Sequence, residues 1–178
     1  MADLEQFEET HGLNSRLVKR NGRLTEEVYR IGGRYDAEIR RLVGHLENAL
    51  PFATLGMADA LRALIRFYQT GRDQDRIAYD IAWVRDQDSA VDTINGFVEV
   101  YMDPRGTKGA WEGLVYYVNA EKTRKNQTLA ANAKWFEDHM PWEPRFRKPE
   151  VLGVTAKAID VVVETGDSGP LTPIGINL

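Results

Sequence analysis

The spacing of apolar residues changes character near Asp86, and that change constrains the fold more than any other feature of the chain. Before it, apolar residues recur at helical intervals. Ile39, Leu42, Val43, Leu46 and Leu50 mark one helix from Tyr35 to Asn48, and Leu61, Leu64, Ile65 and Tyr68 mark a second from Ala58 to Tyr68. Pro51 ends the first and Gly71 suits the C-cap of the second. A third helix is expected from Asp73 to Val84, carrying Ile77, Ile81 and Trp83. Ahead of these helices, Asn21-Gly22 between Leu17-Val18 and Leu24, Val28 and Tyr29 predicts a β-hairpin. After Asp86 the pattern turns strand-like: Val91 to Met102 and Trp111 to Val118 are rich in Val, Tyr and Phe, with Asp103-Pro-Arg-Gly106 as a turn. Ala120 to His139 then reads as a long helix with a polar outer face. Pro141, Pro144 and Pro149 make an irregular connector, Val151 to Val163 is extended, and Gly166-Asp-Ser-Gly-Pro170 is a loop. Helices first and strands later, with one helix inserted at about 120–139, predict an α+β fold with a mixed or antiparallel sheet or partial barrel. The expected division is a hairpin and helical part over 1–85 and a β-rich part over 86–178.

Composition narrows the functions open to such a fold. A net charge of −4 argues against a nucleic-acid partner. The chain has no cysteine, which excludes disulfides and thiolate metal sites and fits a reducing cytoplasm. No apolar run approaches the ~20 residues that span a bilayer, so no membrane role is expected. His11, His45 and His139 are far apart in sequence, and no His-Glu-x-x-His helix or phosphate-binding glycine loop is present. The basic stretch Arg16, Lys19, Arg20, Arg23, Arg30, Arg34 is diluted by Glu26, Glu27, Asp36 and Glu38 and reads as a solvated, ion-paired face.

Two segments carry chemistry. In Asn95-Gly-Phe-Val-Glu-Val-Tyr101, alternation puts Asn95, Phe97, Glu99 and Tyr101 on one face and Gly96, Val98, Val100 and Met102 on the other. The second face is expected in a core. The first offers an amide, a carboxylate and a phenol, a set suited to an extended peptide with a charged amino end, although Glu99 paired to an arginine on a mixed strand face explains it as well. Glu112 begins the next strand, where pairing would bring it near Glu99 and let each shift the other's protonation. A glycosidase-like acid/base pair made of these two carboxylates has no other support in the sequence. Near the end, Asn177 can clamp a peptide bond through its amide, and Pro173 and Gly175 let backbone approach a ligand. The chain stops inside the apolar Ile174-Gly-Ile-Asn-Leu178, which reads as a cut through a longer polypeptide.

The string Asn95-Gly-Phe-Val-Glu-Val-Tyr-Met-Asp-Pro-Arg-Gly106, with its surroundings from Trp83 to Glu112, resembles the dipeptidyl peptidase III family of zinc exopeptidases. So does Thr172-Pro-Ile-Gly-Ile-Asn-Leu178, and the segments from Leu13 to Gly33 and Leu61 to Gly71 are similar to bacterial members. The resemblance implies an enzyme of two lobes that removes dipeptides from the amino ends of short peptides. It implies that Glu99 and Glu112 hold the substrate ammonium and that Tyr101 steadies the scissile carbonyl. Asn95 stands in the same motif. Contacts to the peptide are implied for Asn177, with backbone contacts from Pro173, Ile174 and Gly175. It further implies zinc in the full-length enzyme, bound by an HExxGH helix that this chain lacks. The expectation is therefore a substrate-binding portion that binds no metal itself, is inactive alone, and has a missing catalytic lobe as its partner. Without that lobe, apolar surface on the helix at 120–139 would drive self-association. The alternative is a non-catalytic module that binds peptides.

Overall fold

The computed structural model describes residues 7–151 and 156–169. The hairpin forms where Asn21-Gly22 places it: β1 (Ser15–Arg20) and β2 (Arg23–Val28) pair antiparallel with Arg20 opposite Arg23, and Asn21 and Gly22 take φ of 49° and 79°. Three helices follow, α1 (Asp36–Ala49), α2 (Leu55–Thr70) and α3 (Asp73–Arg85). Then come β3 (Val91–Glu99) and β4 (Ala110–Val118), the helices α4 (Ala120–Ala131) and α5 (Ala133–Asp138), and β5 (Ile159–Gly166). The second sheet has the order β3-β4-β5. Val118 N–H donates to Ala90 O and Thr93 Oγ1 to Leu114 O, so β4 descends as β3 rises. The fold is α+β, as the change of spacing at Asp86 predicts. No helix among the described residues is long and apolar enough to cross a membrane.

Contacts divide the chain into two compact units. The larger comprises 1–89, 93–114 and 164–178. Its core is centred on α2, whose Thr54 cap accepts from Met57 N–H and whose buried stripe runs through Met57, Ala60, Leu61, Leu64, Phe67 and Tyr68. Leu64 and Tyr68 have no exposure, and Tyr29, Ile39, Val43 and Phe97 pack in the same cluster. Buried Asn14 ties the start of β1 to the end of α2: its Nδ2 donates to Gly71 O at 2.9 Å. Asn14→Ala would leave that carbonyl unpaired, and the expected loss is about 1–2 kcal/mol in chemical denaturation at unchanged m.

The smaller unit comprises 90–92 and 115–163. Asn119 caps α4 by accepting from Lys122 N–H, and it donates to Asp160 at 2.7 Å. Tyr116 donates to Asp92 at 2.9 Å. Neither α4 nor α5 buries a residue fully, and Leu129, Trp135, Phe136 and Trp142 are exposed.

Three sequence expectations need correction. The helix over 120–139 is two, because Asn132 leaves helical geometry (φ −102°, ψ 12°) and its amide caps Thr128 O at 2.7 Å. The last strand starts at Ile159 rather than Val151 and continues to Gly166. In α3 the buried pair is Asp75 and Tyr79, while Ile77 and Ile81 face solvent. Arg66 and Arg72 hold the Asp75 carboxylate at 3.0 and 2.9 Å, which fixes the helix about its axis. The third concerns β3, which is buried on both faces: Phe97 is 7% exposed with its ring 4.8 Å from that of Tyr29, and Ile94 and Gly96 are buried on the opposite side, whereas Met102, beyond the end of the strand, is exposed.

Candidate functional site

Glu99 is the last residue of β3 and half-buried. The strand stops there because a turn takes over: Asp103 N–H donates to Val100 O at 3.0 Å, and the Asp103 carboxylate accepts from Thr107 N–H at 2.7 Å and Lys108 N–H at 3.0 Å. Tyr101 therefore lies in a turn, 82% exposed, and not two residues along the same strand face as Glu99. Its phenol is open to solvent and adjacent in sequence to the acidic end of the strand.

The turn is pinned from outside. Lys108 Nζ donates to His11 O at 3.0 Å, Gly12 O at 3.2 Å and Ser15 Oγ at 2.7 Å, and it pairs with Glu9 at 2.6 Å. Arg105 also pairs with Glu9. Behind this lies Glu26, 3.7 Å from Lys108. Burial opposes ionisation of Glu26, but hydrogen bonds from Ser15, from the hydroxyl and N–H of Thr10, and from His11 outweigh it and hold the carboxyl at about 2.

On β4, Glu112 is 5% exposed. Burial raises its pKa first, and the negative charges of Glu99 and Asp167 raise it further. The Ser168 hydroxyl beside it offsets part of this while completing no hydrogen bond of ordinary geometry. The negative charge of Glu99 thus bears on Glu112, and that of a third acid, Asp167, adds to it. Asp167 follows Gly166, whose φ of 74° and whose place 2.1 Å, at a built Cβ, from Trp111 O admit no side chain. Asp167 N–H then donates to Trp111 O at 3.0 Å, which sets Asp167 next to Glu112 along β4. The sequence reading passed over Asp167 as part of a plain loop. A glycine followed by an acid at a strand end was the available signal.

Asn95 sits two turns of the pleat before Glu99 and is half-buried. Its Oδ1 accepts from the Tyr68 hydroxyl, which itself accepts from Trp111 Nε1 at 3.2 Å. Pro173, Ile174, Gly175 and Asn177 lie outside the described residues. Among the described residues no group of three or more His, Cys, Asp or Glu side chains is arranged to hold a metal ion. Chemically, the arrangement is a buried carboxylate, Glu112, in the negative field of Glu99 and Asp167, which favours an organic cation, and an exposed phenol on a braced turn.

Residues 8–178 match the model of peptidase family M49. Dipeptidyl peptidase 3 of Dictyostelium discoideum is 32% identical over 149 residues, which cover 82% of this chain and 21% of that protein. The rat dipeptidyl peptidase 3 is 29% identical over 147 residues, 82% of this chain and 20% of its own length. The chain spans about a fifth of the length of these curated relatives. Two solved structures share the fold. Dipeptidyl-peptidase III from Corallococcus sp. strain EGB superposes with a TM-score of 0.68 at 21% identity, over 94% of this chain and 32% of that one. DPP III from Caldithrix abyssi gives 0.75 at 18% identity, over 86% and 29%.

Proposed function

Because the chain belongs to peptidase family M49, we propose that it is the substrate-binding part of a dipeptidyl peptidase III-like zinc exopeptidase, which releases dipeptides from the amino ends of short peptides. The observation that carries this reading is buried Glu112, whose ionisation burial opposes and the negative charges of Glu99 and Asp167 oppose further. A buried carboxylate in the field of other acids is unfavourable without a cation, and a peptide ammonium meets that need. Asp167 adds to the negative potential. Tyr101, free in solvent, donates its proton toward the carbonyl oxygen of the bound peptide as negative charge develops there. Zinc, when bound in such an enzyme, supplies an activated water for hydrolysis. The described residues offer no set that would hold it, so binding and orientation are the roles assigned to them. The absence of cysteine suits a cytoplasmic setting.

The reading is tested by the amino end of the ligand. Glu99→Gln should weaken binding of a pentapeptide with a free amino end by about tenfold, the size of one lost charge-assisted hydrogen bond. Acetylating that amino end should have a similar effect on the unchanged protein, and calorimetric titration measures both. Equal affinity for free and acetylated peptides would sink the assignment. Because the Glu112 carboxyl takes up a proton more readily than an ordinary glutamate, affinity should decline on acidification already above the usual carboxylate range.

A further inference from the structure

A hydrogen-bond relay links the helical core to the strand that carries Glu99. An indole N–H can only donate, so at 3.2 Å from Trp111 Nε1 the Tyr68 oxygen must accept. Its one proton is then available for Asn95. The Asn95 atom that receives it must be the carbonyl oxygen Oδ1, because an amide NH2 accepts nothing. Tyr68 has no exposure, and burial raises its pKa, so the hydroxyl keeps its proton and the direction of the relay does not reverse. The Asn95 Nδ2 group makes no hydrogen bond with any described residue, and Asn95 is half-buried.

From this geometry we infer that Tyr68 is a positioning residue for Asn95: with Trp111 behind it, it locks the amide so that Oδ1 faces inward and Nδ2 is presented as a fixed donor to a carbonyl oxygen of a bound peptide. The inference rests on the peptide-binding reading above and assigns Asn95 one half of a division of labour. Glu99 and Glu112 take the cationic end, and Asn95 takes an acceptor. An unlocked asparagine would offer either its oxygen or its nitrogen and would discriminate little between them. The relay also joins α2, β3 and β4, and Trp111 immediately precedes Glu112 on β4.

The test uses the protein as its gene encodes it, titrated calorimetrically with a pentapeptide bearing a free amino end. Asn95→Asp keeps the shape and the bond from Tyr68 but turns the outward donor into an acceptor, so affinity should fall by roughly tenfold or more. Tyr68→Phe frees the amide to rotate. It should weaken binding by about threefold to tenfold and shrink the further loss caused by Asn95→Asp, so that the two losses do not add. Tighter binding by Asn95→Asp would mean that the position meets the ammonium, and would overturn the inference. So would wild-type affinity in Tyr68→Phe with only a lowered melting temperature. Should Tyr68→Phe fail to fold, Trp111→Phe removes the first donor and carries the same expectation. Amide NMR gives a readout without peptide: Asn95 side-chain protons showing contacts to the Tyr68 ring would place Nδ2 inward and overturn the inference. Glu99→Gln separates the two levels. If it weakens binding while the Tyr68 and Asn95 variants do not, the relay alone is wrong. If no form binds peptide, wild type included, both readings fall.

Discussion

Tyr101→Phe, made in the full-length enzyme, lowers kcat by roughly a hundredfold to a thousandfold and leaves KM within about threefold, the range found when one preorganised donor to a developing oxyanion is removed. The argument for so large an effect is positional. The phenol is exposed and carries no structural load, so its removal should not disturb the fold. The backbone that carries it is nonetheless held in place, because the turn is closed by the Asp103 carboxylate on two backbone N–H groups and braced by Lys108. A donor on a braced turn meets the transition state with little reorganisation, and that is where an enzyme gains rate. Steady-state kinetics on a dipeptidyl amide with a chromogenic leaving group measures the split. A rise in KM at constant kcat would instead make Tyr101 a ground-state contact, and unchanged values in both would remove it from the site.

Glu26 should be the largest single source of acid sensitivity in the larger unit. Its side chain is 8% exposed, and its carboxyl sits at about 2 where 4.5 is ordinary. A folded-state pKa below the unfolded one contributes stability that is complete above the unfolded value and is lost as pH falls through the folded one. The window therefore runs from about pH 5 down to about pH 2, and the contribution is on the order of 3 kcal/mol at neutral pH. Glu26→Gln places an amide against the donors Ser15 Oγ and Thr10 N–H and should lose most of that stability at pH 7. Urea unfolding of both proteins between pH 7 and pH 3 provides the check. The wild-type and variant curves should converge on acidification. Parallel curves would show that the carboxylate is not ionised by these bonds.

What the sequence disclosed and what it withheld follow from the range of the forces involved. The hairpin was legible because Asn21-Gly22 dictates its turn within two residues. The helices were legible because α1 and α2 bury one stripe each, and Gly71 closes α2 locally. The pairing of the strands that carry Glu99 and Glu112 was legible from the Asp103-Pro-Arg-Gly106 turn between them. Strand alternation, by contrast, states which residues share a face but not whether one face or both are buried. In β3 the Phe97 side is covered by Tyr29, 68 residues earlier in the chain, and the Tyr68 hydroxyl reaches Asn95. Likewise the end of β3 depends on an Asp103 side chain reaching forward to Thr107 and Lys108, so Tyr101 looked like strand and is turn. Asp167 becomes conspicuous only when Gly166 is seen against Trp111. In α3 the inward side is not legible from Ile77 and Ile81, because two arginines on Asp75 determine which side faces inward.

The Lys108 ammonium is gripped by carbonyls of His11 and Gly12 and by the Glu9 carboxylate, groups at the very start of the described chain. The leading segment is thus a clasp on the loop that holds Tyr101, although none of its residues touches a peptide in the proposed scheme. Affinity tags, leader cleavage or trimming at that end are accordingly not innocent manipulations. In the proposed scheme each bears on how steadily Tyr101 is presented.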